Sequence, residues 1–68
     1  MKKWLKQWLE RDGYVFQYKI GDNKIYQNDK KIVVVHSILG LRLMYPLDYF
    51  SNEYFKEAIT QDLAKQEA

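Results

Sequence analysis

The stretch IVVVHSILGLRLMY, residues 32–45, decides how this chain folds. Its first half is rich in β-branched residues, which suit a pleated, half-buried surface and predict a strand over KIVVVHS. Past Gly40 the pattern continues into LRLMY, either as one long bent strand or as two strands joined by a tight bend, with Gly40 the bulge or corner. Taken as one extended strand, the odd positions Val33, Val35, Ser37, Leu39, Leu41, Leu43 and Tyr45 form a core face. The even positions Ile32, Val34, His36, Ile38, Gly40, Arg42 and Met44 form the other. An antiparallel sheet with helices on one side presents a polar outer face, yet this second face is half apolar. Either two helices cover opposite faces, or the strand breaks at Gly40 and folds over, or the even face meets another protein. On the last reading Ile32, Val34, His36, Ile38, Arg42 and Met44 are the candidate partner-binding residues, since surplus apolar area rimmed by polar groups marks binding faces.

Upstream, YVFQYKI (14–20) alternates, with Tyr14, Phe16, Tyr18 and Ile20 on one face and Val15, Gln17 and Lys19 on the other. Gly21-Asp22-Asn23 supplies the positive-φ residues of a hairpin turn, KIYQ (24–27) a short strand, and Asn28-Asp29 a second turn. At the start of the chain, Met1, Trp4, Leu5, Trp8 and Leu9 share one face of a helix, and Lys3, Lys6 and Glu10 lie opposite. That helix should end near Arg11, with Gly13 as its left-handed cap and the indoles of Trp4 and Trp8 serving the core. Downstream, Pro46 closes the strand region and a second helix begins near Ser51 or Asn52, with Glu53 in its first turn. Tyr54, Phe55, Ala58, Ile59 and Leu63 form its apolar stripe, and the residues after Gln66 fray. The expected fold is α+β: helix, three- or four-stranded antiparallel meander, helix, one small α-β-β-β(-β)-α domain over residues 1–68.

Sixty-eight residues bury only about 60% of the surface that the unfolded chain exposes, so the stability margin is thin. With no cysteine and one histidine, neither disulfides nor the usual Cys/His zinc sites can widen it. Two Trp, six Tyr and three Phe, or a second chain, remain to do so. The net charge of +2 is too small for a protein living mainly on phosphate contacts, but it is unevenly spread: residues 1–31 carry +4 and residues 51–68 carry −2. The longest apolar run, broken by His36 and Arg42, falls short of the roughly 20 residues of a membrane span. Lys6, Gln7, Glu10 and Arg11 break any signal-peptide core. The reading is a cytoplasmic protein with no membrane partner.

No catalytic constellation emerges. His36 and Ser37 are strand neighbours and point to opposite faces, which rules out a direct nucleophile–base pair. Glu53 and Glu57 read as a solvated helix face, Asp22-Asn23 lacks the length of a calcium loop, and Gly13, Gly21 and Gly40 are too isolated for a phosphate loop. An enzyme is therefore not expected, nor any metal or cofactor.

Lysines and aromatics do interleave through Lys19, Lys24, Tyr26, Lys30 and Lys31, a pattern compatible with base stacking plus phosphate contacts, to which Lys2, Lys3 and Lys6 of the first helix can add. The competing account is that these lysines solubilise edge strands. The order α-β-β-β-α resembles the double-stranded-RNA-binding domain in topology alone. The segment Ser51-Asn52-Glu53-Tyr54-Phe55-Lys56-Glu57 is acidic where that family carries a lysine cluster, so membership is not assigned.

The leading expectation is a small non-enzymatic regulatory or inhibitory protein that binds another protein and self-associates to a homodimer. A nucleic-acid-binding regulator is the alternative. Abundant Lys, Asn, Ile and Tyr fit an A+T-rich bacterial genome, its phages or its mobile elements.

Overall fold

A computed structural model describes residues 2–47 and 55–67. The elements are α1 (Lys3–Arg11), β1 (Val15–Ile20), β2 (Asn23–Gln27), β3 (Lys31–His36), β4 (Gly40–Pro46) and α2 (Phe55–Glu67). The strands form one antiparallel sheet in the order β1-β2-β3-β4, so the expected meander is present with four strands.

Gly13 ends α1 as the sequence predicts. At φ 76° it lets the Gly13 amide donate to the Glu10 carbonyl (3.2 Å) and the Tyr14 amide to the Leu9 carbonyl (2.9 Å). These are the two bonds of a Schellman cap, and its hydrophobic contact is there too: Tyr14 and Leu9 belong to one cluster. The chain then enters β1 directly. At the β1–β2 hairpin only Gly21 has positive φ (60°), the arrangement of a II′ turn. Asn23 belongs to β2 rather than to the turn. It is buried, its side-chain amide donating to the Ile20 carbonyl at 3.3 Å. The β2–β3 turn is organised by Asn28, whose Oδ1 accepts from the amides of Lys30 (2.8 Å) and Lys31 (2.7 Å). Its Nδ2 donates to the Asp12 carbonyl (3.0 Å), which ties this turn to the end of α1.

Residues 32–45 are two strands, not one. The chain reverses over Ser37–Leu39, and Gly40, at φ 85°, opens β4. His36 holds the bend: its Nδ1 accepts from the amides of Ile38 and Leu39, both at 3.1 Å. A single odd–even alternation through the whole run therefore fails. Facing strands place Val33 beside Met44 and Val35 beside Leu41 on one side, and Ile32 beside Tyr45 and Val34 beside Leu43 on the other.

Two single-residue irregularities complete this sorting. Arg42 is the extra residue where the β3–β4 register shifts, which puts Leu41 and Leu43 on opposite faces. Gln17 does the same in β1. Phe16 pairs with Tyr26 and Tyr18 with Ile25, so the expected common face of Tyr14, Phe16, Tyr18 and Ile20 is split.

The helices lie on opposite faces of the sheet. One core joins Leu5 and Leu9 of α1 to Val33 and Val35, with Trp8, Tyr14 and Tyr26 at its margin. The other joins Ile59 and Leu63 of α2 to Ile25, Ile32 and Val34, with Tyr18, Ile20, Leu43, Tyr45 and Leu47 around it. Strand β3 feeds both cores, and this accounts for its apolar excess: Ile32 through Val35 are all buried. The stripe expected for α2 is present at Ile59 and Leu63, with Ala58 half-buried and Lys56, Glu57, Thr60 and Gln61 exposed. Ser51, Asn52, Glu53 and Tyr54 lie outside the described residues, as does the side chain of Phe55. The helix extends to Glu67, one residue past the expected fraying point.

Trp4 departs from expectation. It is 61% exposed, whereas Leu5 and Leu9 are buried. At 100° per residue the line through Leu5 and Leu9 faces the sheet, and Trp4 sits well round the helix from it. A nine-residue helix across four strands leaves that flank uncovered.

Candidate interaction surface

The incomplete cover on the α1 face defines the candidate surface. Lys6 and Glu10 project from one flank of α1 and line a groove of about 400 Å³ with Leu9, Tyr14, and Lys24 and Tyr26 of β2. Trp4 and Trp8 project from the opposite flank, where Trp8 meets Tyr14 and the β2–β3 turn. The N-terminal end of α1 lies over the β3–β4 bend: a Cβ built on Gly40 would meet Leu5 Cδ2 at 3.8 Å. Besides Trp4 of α1, β4 and its turn carry large apolar side chains that stay outside the core. These are Ile38 (81% exposed), Leu39 (68%), Leu41 and Met44. Lys2 and Lys3, both exposed, precede Trp4 in the chain.

Ile38 and Leu39 are not a loose loop tip. Beyond the two bonds to His36, the Ser37 amide donates to the Asp22 carbonyl at 3.1 Å, linking the β3–β4 bend to the β1–β2 turn beside it.

The structure separates the six residues expected on one sheet face. Ile32 and Val34 lie beneath α2 and have no surface to offer. His36 is half-buried at the bend, Ile38 is at its tip, Met44 is exposed on the α1 face, and Arg42 is the bulge residue, its carbonyl accepting from Gln66 Nε2 at 3.4 Å. Arg42 and Met44 lie on β4, and Ile38 lies on the turn that leads into it. Trp4, Leu39 and Leu41 are exposed too. The sequence pattern places all three on core faces, because the exposure of Leu39 and Leu41 depends on the strand break and the bulge and that of Trp4 on how far round α1 the sheet reaches.

The lysine set divides as well. Lys19 and Lys24 stand opposite each other across β1 and β2, on the same face as Tyr26. Lys30 and Lys31 line a separate cleft of about 480 Å³ with Trp8, Asp12, Tyr14, Asn28 and Asp29, where two carboxylates offset them. Trp8 and Tyr14 pack there with ring centroids 5.1 Å apart. Burial raises the phenol pKa of Tyr26. It also raises that of Tyr14, with a further push from Asp12 and an opposing pull from the Asn28 hydrogen bond. Both hydroxyls therefore stay protonated at neutral pH.

Among the described residues no helix is long and apolar enough to cross a membrane, and no three His, Cys, Asp or Glu side chains converge as a metal site would require. No family model, no curated protein and no solved structure matches this chain.

Proposed function

We propose that this chain is a non-enzymatic binding module that grips another protein through the apolar flank formed by Trp4, Ile38, Leu39, Leu41 and Met44. A regulatory or inhibitory role in the cytoplasm of an A+T-rich bacterium or phage-infected cell belongs to the same reading. The observation that supports it is the exposure of these large apolar side chains, with Leu41 and Met44 on one face of β4, in a domain with little area to spare. Contiguous exposed apolar surface with a polar rim is the usual form of a protein-binding patch, and a tryptophan beside aliphatic neighbours is a typical anchor.

The rim charge bears on the kind of partner. Lys2 and Lys3, exposed next to Trp4 in the chain, favour a partner with carboxylates around an apolar centre, and two copies of this chain meeting through Trp4 would oppose these lysines. A different chain therefore fits this surface better than a second copy.

The test is co-purification from the native host, followed by rebinding of the recovered protein in pure form. Ile38→Asp and Trp4→Ala should each weaken that complex about tenfold or more, since each removes an apolar side chain worth roughly 1.5–3 kcal/mol when buried. Their thermal melting should stay near wild type, because both residues are exposed. Sedimentation of the wild type at high concentration reports self-association. If the recovered partner binds both variants as tightly as wild type, the flank is not the interface.

A further inference from the structure

The opposite flank of α1 has a different chemistry. Lys24 lies on β2, an interior strand, and is half-buried, so protection of a sheet edge does not account for it. It stands directly across from Lys19, and like charges facing each other in a ladder are destabilising. Among the described residues neither lysine has an ion-pair partner; the ion pair found there joins Arg11 to Asp12. Lys6 leans into the same groove from α1, and Glu10 is the one carboxylate lining it. The charge here is concentrated and largely unanswered.

Aromatic rings lie beside it. Tyr26 lines the groove, and Phe16 meets it edge-on with ring centroids 5.8 Å apart and an interplanar angle of 69°. Phe16 is 48% exposed, an uncommon position for a phenylalanine on a sheet face that carries a helix. Tyr14 closes one end of the groove.

We propose that the groove between α1 and the β1–β2 hairpin binds single-stranded nucleic acid, with bases on Phe16 and Tyr26 and phosphates on Lys6, Lys19 and Lys24. The rings require unstacked bases with their faces free, which a duplex does not present. The groove's volume of about 400 Å³ suits one or two nucleotides, not a helix, and the strand continues beside it over Phe16 and Lys19, which stand across β1–β2 from Tyr26 and Lys24. This site is independent of the apolar flank, from which α1 separates it.

Fluorescence anisotropy with a labelled oligothymidine of roughly 15 nucleotides, and with RNA of the same length, tests the proposal. Three phosphate contacts predict a loss of affinity of about 100-fold between 20 and 200 mM salt. Lys24→Glu should abolish binding at the lower salt. Phe16→Ala should weaken it about tenfold or more, while Phe16→Tyr should retain it and Ile38→Asp, on the other flank, should leave it unchanged. Melting curves of each variant separate loss of binding from loss of fold. The proposal is overturned if the wild type binds neither oligonucleotide at low salt. It is equally overturned if a duplex binds as tightly as a single strand, or if a folded Phe16→Ala variant binds like wild type. Polyglutamate binding that needs Lys24 but not Phe16, at an affinity matching the oligonucleotide, would assign the groove to an acidic protein segment instead.

Discussion

The two faces of the sheet receive the same strand, β3, and use it to different completeness. On one face the thirteen-residue α2 lies over Ile25, Ile32 and Val34. It is strapped to β4 by the Tyr45 hydroxyl donating to Asp62 Oδ2 (2.6 Å) and by Gln66 Nε2 donating to the Arg42 carbonyl. On the other face the nine-residue α1 covers Val33 and Val35 and leaves both of its flanks open. Helix length contributes to the difference: at 1.5 Å per residue the nine-residue α1 is about 14 Å long and the thirteen-residue α2 about 20 Å, against a four-stranded sheet about 19 Å wide. One face is closed over its core. The other keeps exposed surface on both sides of its helix.

The comparison can be broken first in the cores. Ile59→Ala should cost about 3–4 kcal/mol, because the surrounding α2 face is closed and relaxes little around the cavity. Leu5→Ala, equally buried, should cost less, about 2–3 kcal/mol, since the open margins of the α1 face can collapse inward. Urea denaturation of the two variants measures this directly. Equal losses, or a larger loss at Leu5, would mean that the faces are packed alike.

A smaller effect is expected where α1 joins the sheet. Gly13→Ala places a Cβ in open space, so its cost is backbone strain alone at φ 76°, roughly 1–2 kcal/mol. A calorimetric melt should register it as a lower Tm with binding at the α1 groove weakened in parallel, because the cap fixes where Tyr14 enters the groove.

The smallest effect tests the α2 face. The Tyr18 hydroxyl is buried without a hydrogen-bond partner among the described residues, while Lys56 Nζ lies 5.2 Å from its ring. Tyr18→Phe should therefore be neutral or stabilising by less than about 1 kcal/mol. Burial raises the Tyr18 pKa above its ordinary value of 10.0, as it does for Tyr14 and Tyr26. Such a group contributes its full stability below pH 10, and that contribution is lost as pH rises from there through the folded-state value. Stability measured by urea at pH 8 and above pH 10 should fall for the wild type and fall less for Tyr18→Phe. An equal fall in both would remove Tyr18 from the account.

Much of the fold was legible in the sequence because its punctuation is chemical. Gly13, Gly21 and Gly40 each take a positive φ that other residues avoid: Gly13 and Gly21 follow the ends of α1 and β1, and Gly40 opens β4. The sorting of side chains was not legible. Gln17 and Arg42 each insert one residue into a strand, which moves Phe16 and Leu41 to the other face. Neither glutamine nor arginine signals a bulge. The placement of helices on opposite faces was one of the open readings of residues 32–45, and nothing in the periodicity of α1 or α2 reports which side of a sheet they take. The candidate surface inherits this limit: the pattern points to Ile38, Met44 and Arg42 through an alternation that the chain does not follow, and it assigns to the core Trp4, which is exposed.

The bend at Ser37–Leu39 has a thermodynamic consequence. Its amides are held by His36 and Asp22 before any partner arrives. Freezing a backbone residue costs about 1–2 kcal/mol, a cost that a floppy tip would meet on association. Here it is met on folding, so contact area gained at Ile38 and Leu39 converts to affinity with little entropic loss. Hydrogen exchange should find the Ile38 and Leu39 amides slow for so exposed a tip.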